Sequence, residues 1–273
     1  MTGNPLITSE QLAELLQQPV RPVVLDVRWR LGGPSGRQDY ASGHIPGAVF
    51  LDLDTDICGP PGARGRHPLP DPGHLQAVLR RVGISGDSQV VVYDGSDAMA
   101  AARTWWTLRW AGLEQVRVLD GGFAAWDGPI STQQIVPSTG AVVVHPGGMP
   151  AVDADGAATL ASRGRLADVR TPQRYRGESE PIDPVAGHIP GAVNVPGGDL
   201  GPDGRFLAAG DLRERYAGLP DDGPVGAYCG SGVTAARAVL GMTVAGLDPV
   251  LYVGSWSDWI TDPRRPVATG AAP

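Results

Sequence analysis

The chain has 273 residues, of which 42% are hydrophobic and 19% charged, and its formal net charge is −7. The acidic balance, without any long Lys/Arg run, gives no electrostatic basis for binding nucleic acid or an anionic membrane surface. No apolar run approaches the roughly 20 residues that span a bilayer, and the segment 1–10 lacks the basic and apolar regions of a secretion signal. We therefore expect a soluble, cytoplasmic protein with no nucleic-acid or membrane partner.

Helical and strand-like segments alternate along the chain. Ser9 is predicted to cap a first helix, and the Ala-rich segment 96–110, with its tryptophans at helical spacing, predicts another. Between them, short β-branched runs are typical of buried parallel strands. The Pro- and Gly-rich stretch 131–150 predicts a linker. This alternation indicates an α/β fold in which each half holds a mostly parallel sheet flanked by helices. The clearest predicted strands are 23–25, 90–93 and 116–119.

The two halves of the chain repeat the same motifs in the same order. Gly-His-Ile-Pro-Gly-Ala-Val occurs at 43–49 and again at 187–193. Asp-Val-Arg precedes this segment in both halves, and Tyr-x-Gly-Ser follows it. The repeat is the size of a domain, so we predict a duplicated domain.

A cysteine follows one of the predicted strands of the second half. The segment 224–228 predicts a strand, 234–240 predicts a helix, and Cys229-Gly-Ser-Gly-Val lies between them. Backbone N–H groups and the helix dipole converge at such a position and stabilise an anionic sulfur. The glycines permit the left-handed backbone that lets successive N–H groups surround a thiolate or a persulfide. The pattern indicates a reactive thiol, although a lone intracellular cysteine is more commonly a small buried side chain.

The remaining cysteine and the repeated histidines favour structural roles. Cys58 lies in a Gly/Pro-rich loop with no following helix to activate a thiol. His44 and His188 occur in both copies of the repeated segment, including the copy without a reactive cysteine, which favours a role in the turn over metal binding or catalysis. The sequence predicts no metal and no other cofactor.

The first half has Asp94 where the second has Cys229, so it lacks the nucleophile. We therefore predict one inactive and one active copy. The predicted divisions are a catalytically inactive N-terminal domain at 5–130, a linker at 131–150, a catalytic C-terminal domain at 151–263 and a tail at 264–273.

The two Gly-His-Ile-Pro-Gly-Ala copies and the single Cys-Gly-Ser-Gly-Val-Thr loop resemble the tandem-domain rhodanese and 3-mercaptopyruvate sulfurtransferase family, from about residue 5 to 262. The resemblance implies two rhodanese-like domains. It also implies that Cys229 accepts a sulfane sulfur as a persulfide and passes it to a thiol, to cyanide or to a redox protein such as thioredoxin. Loop N–H groups are expected to hold the anionic sulfur; the residues concerned are Gly230, Gly232, Val233 and Thr234.

The resemblance also bears on the sulfur donor. A neutral Cys-Gly-Ser-Gly loop is of the mercaptopyruvate type, whereas thiosulfate-preferring members carry Arg-Lys after the cysteine, which suits a dianion. Arg174 matches the family arginine that pairs with the substrate carboxylate. The family's second substrate arginine has no match in the shorter, acidic segment 178–184, which leaves Arg176 as a substitute. We expect 3-mercaptopyruvate as the donor, with a thiosulfate-preferring rhodanese or a non-catalytic rhodanese-like binding module as alternatives.

Three further residues match a proton-relay group of the family. These are Ser231 in the loop, and Asp54 and His67, which correspond to positions of the N-terminal domain that face the active-site cleft. A phosphatase on the same fold would need an arginine at the position of Ala235 to bind phosphate, so the register of the loop disfavours that activity.

Overall fold

The computed structural model describes residues 3–220 and 222–273. They form two compact units. The first comprises the chain through Gly59, Leu69–Met149 and Leu200–Phe206. The second comprises Pro60–Pro68, Pro150–Asp199 and the chain from Leu207 onwards. Each unit therefore contains one short segment that sequence order would assign to the other half.

The first unit is built on a five-stranded sheet in the order β1-β5-β4-β2-β3, with every pairing parallel. Its strands are β1 (Leu6–Ile7), β2 (Val23–Asp26), β3 (Val49–Phe50), β4 (Val90–Tyr93) and β5 (Val116–Leu119). Its helices are α1 (Ser9–Leu16), α2 (Arg37–Ser42), α3 (Pro72–Arg81) and α4 (Met99–Trp110), with short π and 3-10 turns at Leu53–Ile57 and Gly122–Ala125.

The second unit repeats this topology, with a parallel sheet in the order β6-β10-β9-β7-β8. Its strands are β6 (Ala151–Val152), β7 (Leu166–Asp168), β8 (Val193–Asn194), β9 (Val225–Tyr228) and β10 (Pro249–Tyr252). Its helices are α5 (Ala154–Ala161), α6 (Pro172–Tyr175), α7 (Ala209–Arg215), α8 (Val233–Val244) and α9 (Ser255–Trp259). The predicted α/β fold with a parallel sheet in each half is confirmed.

The predicted strands of the first half are confirmed as β2, β4 and β5, but two helix starts differ from expectation. The cap of α1 is Thr8, which forms a capping box with Gln11, whereas the Ser9 hydroxyl is buried and accepts a hydrogen bond from the N–H of Asp127. Helix α4 begins only at Met99, because Ala98 takes a left-handed conformation with φ of 54°. Polar turn residues before that point are occupied by local hydrogen bonds instead of continuing the helix.

The repeated motifs form equivalent buried networks in the two units. In the second unit, Asp168 at the end of β7 accepts hydrogen bonds from Arg170 and from the Tyr228 hydroxyl, at 2.6 Å in each case. Arg170 also donates to the carbonyl of Gly187 at 2.6 Å, and the Tyr228 hydroxyl accepts from the N–H of Ile189. Burial and Asp168 both raise the pKa of Tyr228, so the hydroxyl stays protonated and keeps donating. The network ties the ends of two strands to the Gly-His-Ile-Pro turn.

The first unit contains the same network. Asp26 accepts from Arg28 at 2.6 Å and from the Tyr93 hydroxyl at 2.7 Å, and Arg28 donates to the carbonyl of Gly43. The Asp, Arg and Tyr residues of the repeated motifs therefore have a hydrogen-bonding role that is independent of the cysteine. This accounts for their presence in the half that lacks the thiol.

Candidate active site

Cys229 directly follows β9, and its loop leads into α8 within a few residues. Gly232 takes a left-handed conformation with φ of 81° and forms the cap of α8. This turn directs the Gly232 N–H towards the Cys229 Sγ, 3.2 Å away. Val233 and Thr234 begin the helix, where N–H groups have no intrahelical acceptor. The sulfur, on a residue only 3% exposed, thus lies at the positive end of a 12-residue helix.

Residues at the start of α9 hold the cysteine loop in place through hydrogen bonds to its backbone. The N–H groups of Trp256 and Ser257 donate to the carbonyls of Cys229 and Gly230, at 3.0 and 2.9 Å. The Ser255 hydroxyl accepts from the Cys229 N–H at 3.1 Å, although Ser255 itself takes an unusual left-handed conformation with φ of 55°. Sequence reasoning missed this role. The available signal was that Ser255-x-x-x-Trp259 in the second half matches Gly122-x-x-x-Trp126 in the first half, where Gly122 has φ of 61°.

Ser231 and His67 are brought together within the second unit. The Ser231 Oγ lies 2.8 Å from the His67 Nδ1, and both residues are largely buried, at 7% and 8% exposure. The serine hydroxyl donates when Nδ1 carries no proton. His67 packs in this unit because it belongs to the segment Pro60–Pro68. Asp54 lies in the first unit, where its carboxylate accepts a hydrogen bond from the Trp29 indole N–H at 2.9 Å.

Arg174 lies beside the cysteine loop, held by two acidic residues of the segment 178–184. Its guanidinium contacts Glu180 at 2.7 Å and Asp183 at 3.1 Å. Glu180 also contacts Arg170 of the buried network, so the loop region is connected to the core. Burial opposes ionisation of Glu180, but the hydrogen bond from Arg174 helps to hold its pKa below the ordinary value. The acidic segment therefore positions the guanidinium.

A second arginine lies against the same loop and was not predicted. A Cβ placed on Gly230 would be 2.9 Å from Arg66 Nη2 and 3.4 Å from Arg174 Nη2, so both guanidiniums cover this glycine. Arg66 also pairs with Asp183. Arg176, the substitute expected from sequence, pairs instead with Glu178 at 2.7 Å on the surface. No linear motif could have identified Arg66, because it precedes Arg174 by a whole domain in sequence.

The equivalent loop of the first unit is filled by its own carboxylate. Asp94 is 2% exposed, and its oxygens accept hydrogen bonds from the N–H groups of Ala98 and Ala101 at 3.2 and 3.0 Å. Burial, together with the nearby Asp97, raises the pKa of Asp94 to about 7. The Asp94 side chain thus accepts from backbone N–H groups at the start of α4.

Cys58 and the repeated histidines lie outside this arrangement of groups. Burial raises the pKa of the Cys58 thiol, which disfavours the reactive thiolate. His44 and His188 are fully buried, and each Nδ1 lies within hydrogen-bonding distance of the carbonyl of a stacked tyrosine, Tyr40 and Tyr175 respectively. Within residues 3–220 and 222–273 there is no cluster of three or more potential metal ligands. In the same residues, no helix has the length and hydropathy needed to cross a bilayer.

Comparison with known proteins agrees with the duplicated α/β fold and the cysteine loop described above. The model of the rhodanese-like domain matches twice, at residues 8–128 and 153–262. The chain is 47% identical over 280 residues to the putative thiosulfate sulfurtransferase SseB of Mycobacterium tuberculosis, covering 99% of each chain. It is 46% identical to the probable 3-mercaptopyruvate sulfurtransferase of Pseudomonas aeruginosa, covering 99% of this chain and 100% of that one.

A solved structure is similar over the same length. The crystal structure of SseA from Escherichia coli, described with the rhodanese fold and catalytic mechanism of 3-mercaptopyruvate sulfotransferases, superposes with a TM-score of 0.81 at 30% identity. The match covers 93% of this chain and 100% of SseA. The chain belongs to the rhodanese family, with two rhodanese-like domains. It is a sulfurtransferase, which requires a sulfur donor and a thiol or cyanide acceptor.

Proposed function

We propose that the enzyme transfers a sulfane sulfur from 3-mercaptopyruvate, through a persulfide on Cys229, to a thiol or to cyanide. The observation that carries this proposal is the 3.2 Å contact from the Gly232 N–H to the Cys229 Sγ at the start of α8. An N–H group and a helix N-terminus stabilise a thiolate and, after transfer, a terminal persulfide anion. Gly230, Gly232, Val233 and Thr234 supply the backbone of this site.

The chemistry is a double displacement. The Cys229 thiolate attacks the donor sulfur, an S–S bond forms, and the C–S bond of the donor breaks. Its electron pair leaves on pyruvate as the enolate, which then takes up a proton. In the second step an acceptor thiolate attacks the terminal sulfur, and the Cys229 thiolate is released.

Ser231 and His67 are proposed to provide the proton for the enolate. Their 2.8 Å contact supports a relay in which, with Nδ1 protonated, the hydroxyl gives its proton to the enolate and recovers one from Nδ1. Asp54 is proposed as the third member on the resemblance to the family alone.

Arg174 is proposed to bind the donor carboxylate, with its guanidinium held at the loop by Glu180 and Asp183. The neutral Cys-Gly-Ser-Gly loop favours mercaptopyruvate. Thiosulfate, which would release sulfite, is the second candidate donor because the Mycobacterium tuberculosis relative bears that name. Because Arg176 pairs with Glu178 at the surface, it is proposed to have only a secondary role in binding the donor carboxylate.

The first domain, 5–130, is proposed to be catalytically inactive, because Asp94 replaces the thiol and occupies its own loop. A dithiol protein of the thioredoxin kind is the protein acceptor that we propose, and a reducing cytoplasm is the proposed location. Both cysteines are free, which suits that compartment.

The decisive experiment compares initial rates of thiocyanate formation from cyanide, with 3-mercaptopyruvate and thiosulfate at equal concentrations. A clear preference for mercaptopyruvate is expected. A preference for thiosulfate would mean that thiosulfate, and not 3-mercaptopyruvate, is the donor. No turnover with either donor would overturn the proposal.

A further inference from the structure

Arg66 is fixed against the cysteine loop by its backbone. Its N–H donates to the Ser257 hydroxyl at 3.0 Å, and Ser257 itself donates its N–H to the carbonyl of Gly230. The preceding Gly65 has φ of 94°, and a Cβ there would meet the carbonyl oxygen of Gly254 at 2.7 Å. Only glycine permits this close approach. The position of Arg66 therefore does not depend on its side-chain ion pair.

The Arg66 guanidinium retains N–H groups that can bind a ligand beside the cysteine loop. Nη1 pairs with Asp183, and Nη2 lies 2.9 Å from the position of a Cβ on Gly230. Among the described residues, 3–220 and 222–273, the buried Nε has no hydrogen-bond partner. The side chain is 26% exposed, which leaves a path for a small ligand.

Arg66 and Arg174 form a pair of guanidiniums that share one carboxylate. Asp183 contacts both, and each guanidinium reaches Gly230, the residue after Cys229. A donor whose sulfur meets the Cys229 Sγ would place its anionic end close to these forks. Planar guanidiniums pair with carboxylates through two parallel hydrogen bonds, which a lysine cannot reproduce.

We propose that Arg66 is a specificity-determining residue of the sulfur-donor site and that, with Arg174, it binds the carboxylate of the donor. The proposal rests on the proposed function of Cys229. Arg66 acts on donor binding, so it affects the first half-reaction and leaves the transfer of sulfur to the acceptor unchanged.

The test compares Arg66→Gln and Arg66→Lys with Arg64→Gln, a control that removes an exposed arginine from the same segment. Losing a hydrogen bond to a charged group predicts a KM for mercaptopyruvate roughly 10- to 100-fold higher in Arg66→Gln, with kcat changed less than about threefold. Arg66→Lys should fall between Arg66→Gln and the wild type, and Arg64→Gln should match the wild type. Discharge of persulfide, loaded beforehand and followed in a single turnover with cyanide, should be equally fast in all four proteins.

Melting temperatures establish whether each variant is folded. If Arg66→Gln does not fold, the comparison of Arg66→Lys with the wild type decides the test. An unchanged KM in a folded variant would overturn the role of Arg66 while the sulfurtransferase function stood. An equal rise of KM for mercaptopyruvate and thiosulfate would overturn carboxylate recognition, since thiosulfate has no carboxylate.

Failure of the proposed function itself is recognised separately. If the wild type takes up no sulfur from either donor, calorimetric titration with pyruvate is decisive, because binding needs no transfer. Weaker pyruvate binding by Cys229→Ser/Arg66→Gln than by Cys229→Ser would still support the carboxylate site. Equal binding would overturn it.

Discussion

The hydroxyl of Ser231 lies 2.8 Å from the Nδ1 of His67, a residue 164 positions earlier in the chain. Both side chains are largely buried beside the cysteine loop of the second unit. The contact supports the proposal that Ser231 and His67 act together in proton transfer, so replacing either one should have the same consequence.

Ser231→Ala and His67→Asn are each expected to lower kcat for mercaptopyruvate by roughly 100-fold, the scale of general acid–base catalysis. Because the two residues are proposed to act as one relay, the double variant should lose little more activity than either single variant. Steady-state rates in a double-mutant cycle measure this coupling. Strictly additive losses would show that the two residues act independently.

Cys229→Ser should abolish sulfur transfer and leave the melting temperature nearly unchanged, because the hydroxyl fits the space of the thiol but is a poor nucleophile. Mass spectrometry after incubation with donor should detect one added sulfur atom on the wild type and none on this variant. Cys58→Ala is the matched control and should still be loaded, since the Cys58 thiol is buried with a raised pKa. Loading of Cys229→Ser would place the nucleophile elsewhere.

Gly230→Ala should keep the fold and lower activity. The new Cβ would approach Arg66 Nη2 to 2.9 Å, so the flexible Arg66 guanidinium must move away from the loop, whereas Arg174 Nη2 would lie at an ordinary contact distance of 3.4 Å. We expect a fall in kcat/KM of about tenfold or more, since small displacements of substrate-binding groups are costly. Gly210→Ala on α7, where a Cβ meets no atom within 4 Å, serves as the control and should be fully active. Wild-type kcat/KM in Gly230→Ala would show that Arg66 does not contribute to the donor site.

Asp94 should make the stability of the first domain depend on pH. Its pKa in the folded protein is raised from 3.8 to about 7, so the unfolded chain releases this proton at lower pH than the folded one. The contribution of the protonated Asp94 to the free energy of unfolding is complete below about pH 4 and is lost as the pH rises towards 7. Between pH 5 and 7 the denaturant midpoint of the wild type should therefore fall relative to that of Asp94→Asn. Asp87→Asn, an exposed control, should retain the wild-type slope, and an identical slope in Asp94→Asn would refute the assignment.

The sequence by itself determined the features that depend on neighbouring residues. β-Branched runs predicted β2, β4 and β5, because buried parallel strands need continuous apolar segments. The repeated motifs predicted a duplicated fold, and a cysteine between a strand and a glycine turn predicted the sulfur site at the start of α8. The sequence predicted helix starts less well. The cap of α1 is Thr8 and not the neighbouring Ser9, and α4 begins only at Met99 because Ala98 is left-handed.

The family resemblance anticipated His67, but only the tertiary structure decided that Arg66 also reaches the loop. Segment Pro60–Pro68 packs in the second unit and brings Arg66 and His67 to Gly230 and Ser231. The acidic segment, which in sequence reads as a loss of positive charge, holds two guanidiniums in place through Asp183. Such pairings are set by packing between segments far apart in the chain, and no pattern of neighbouring residues encodes them.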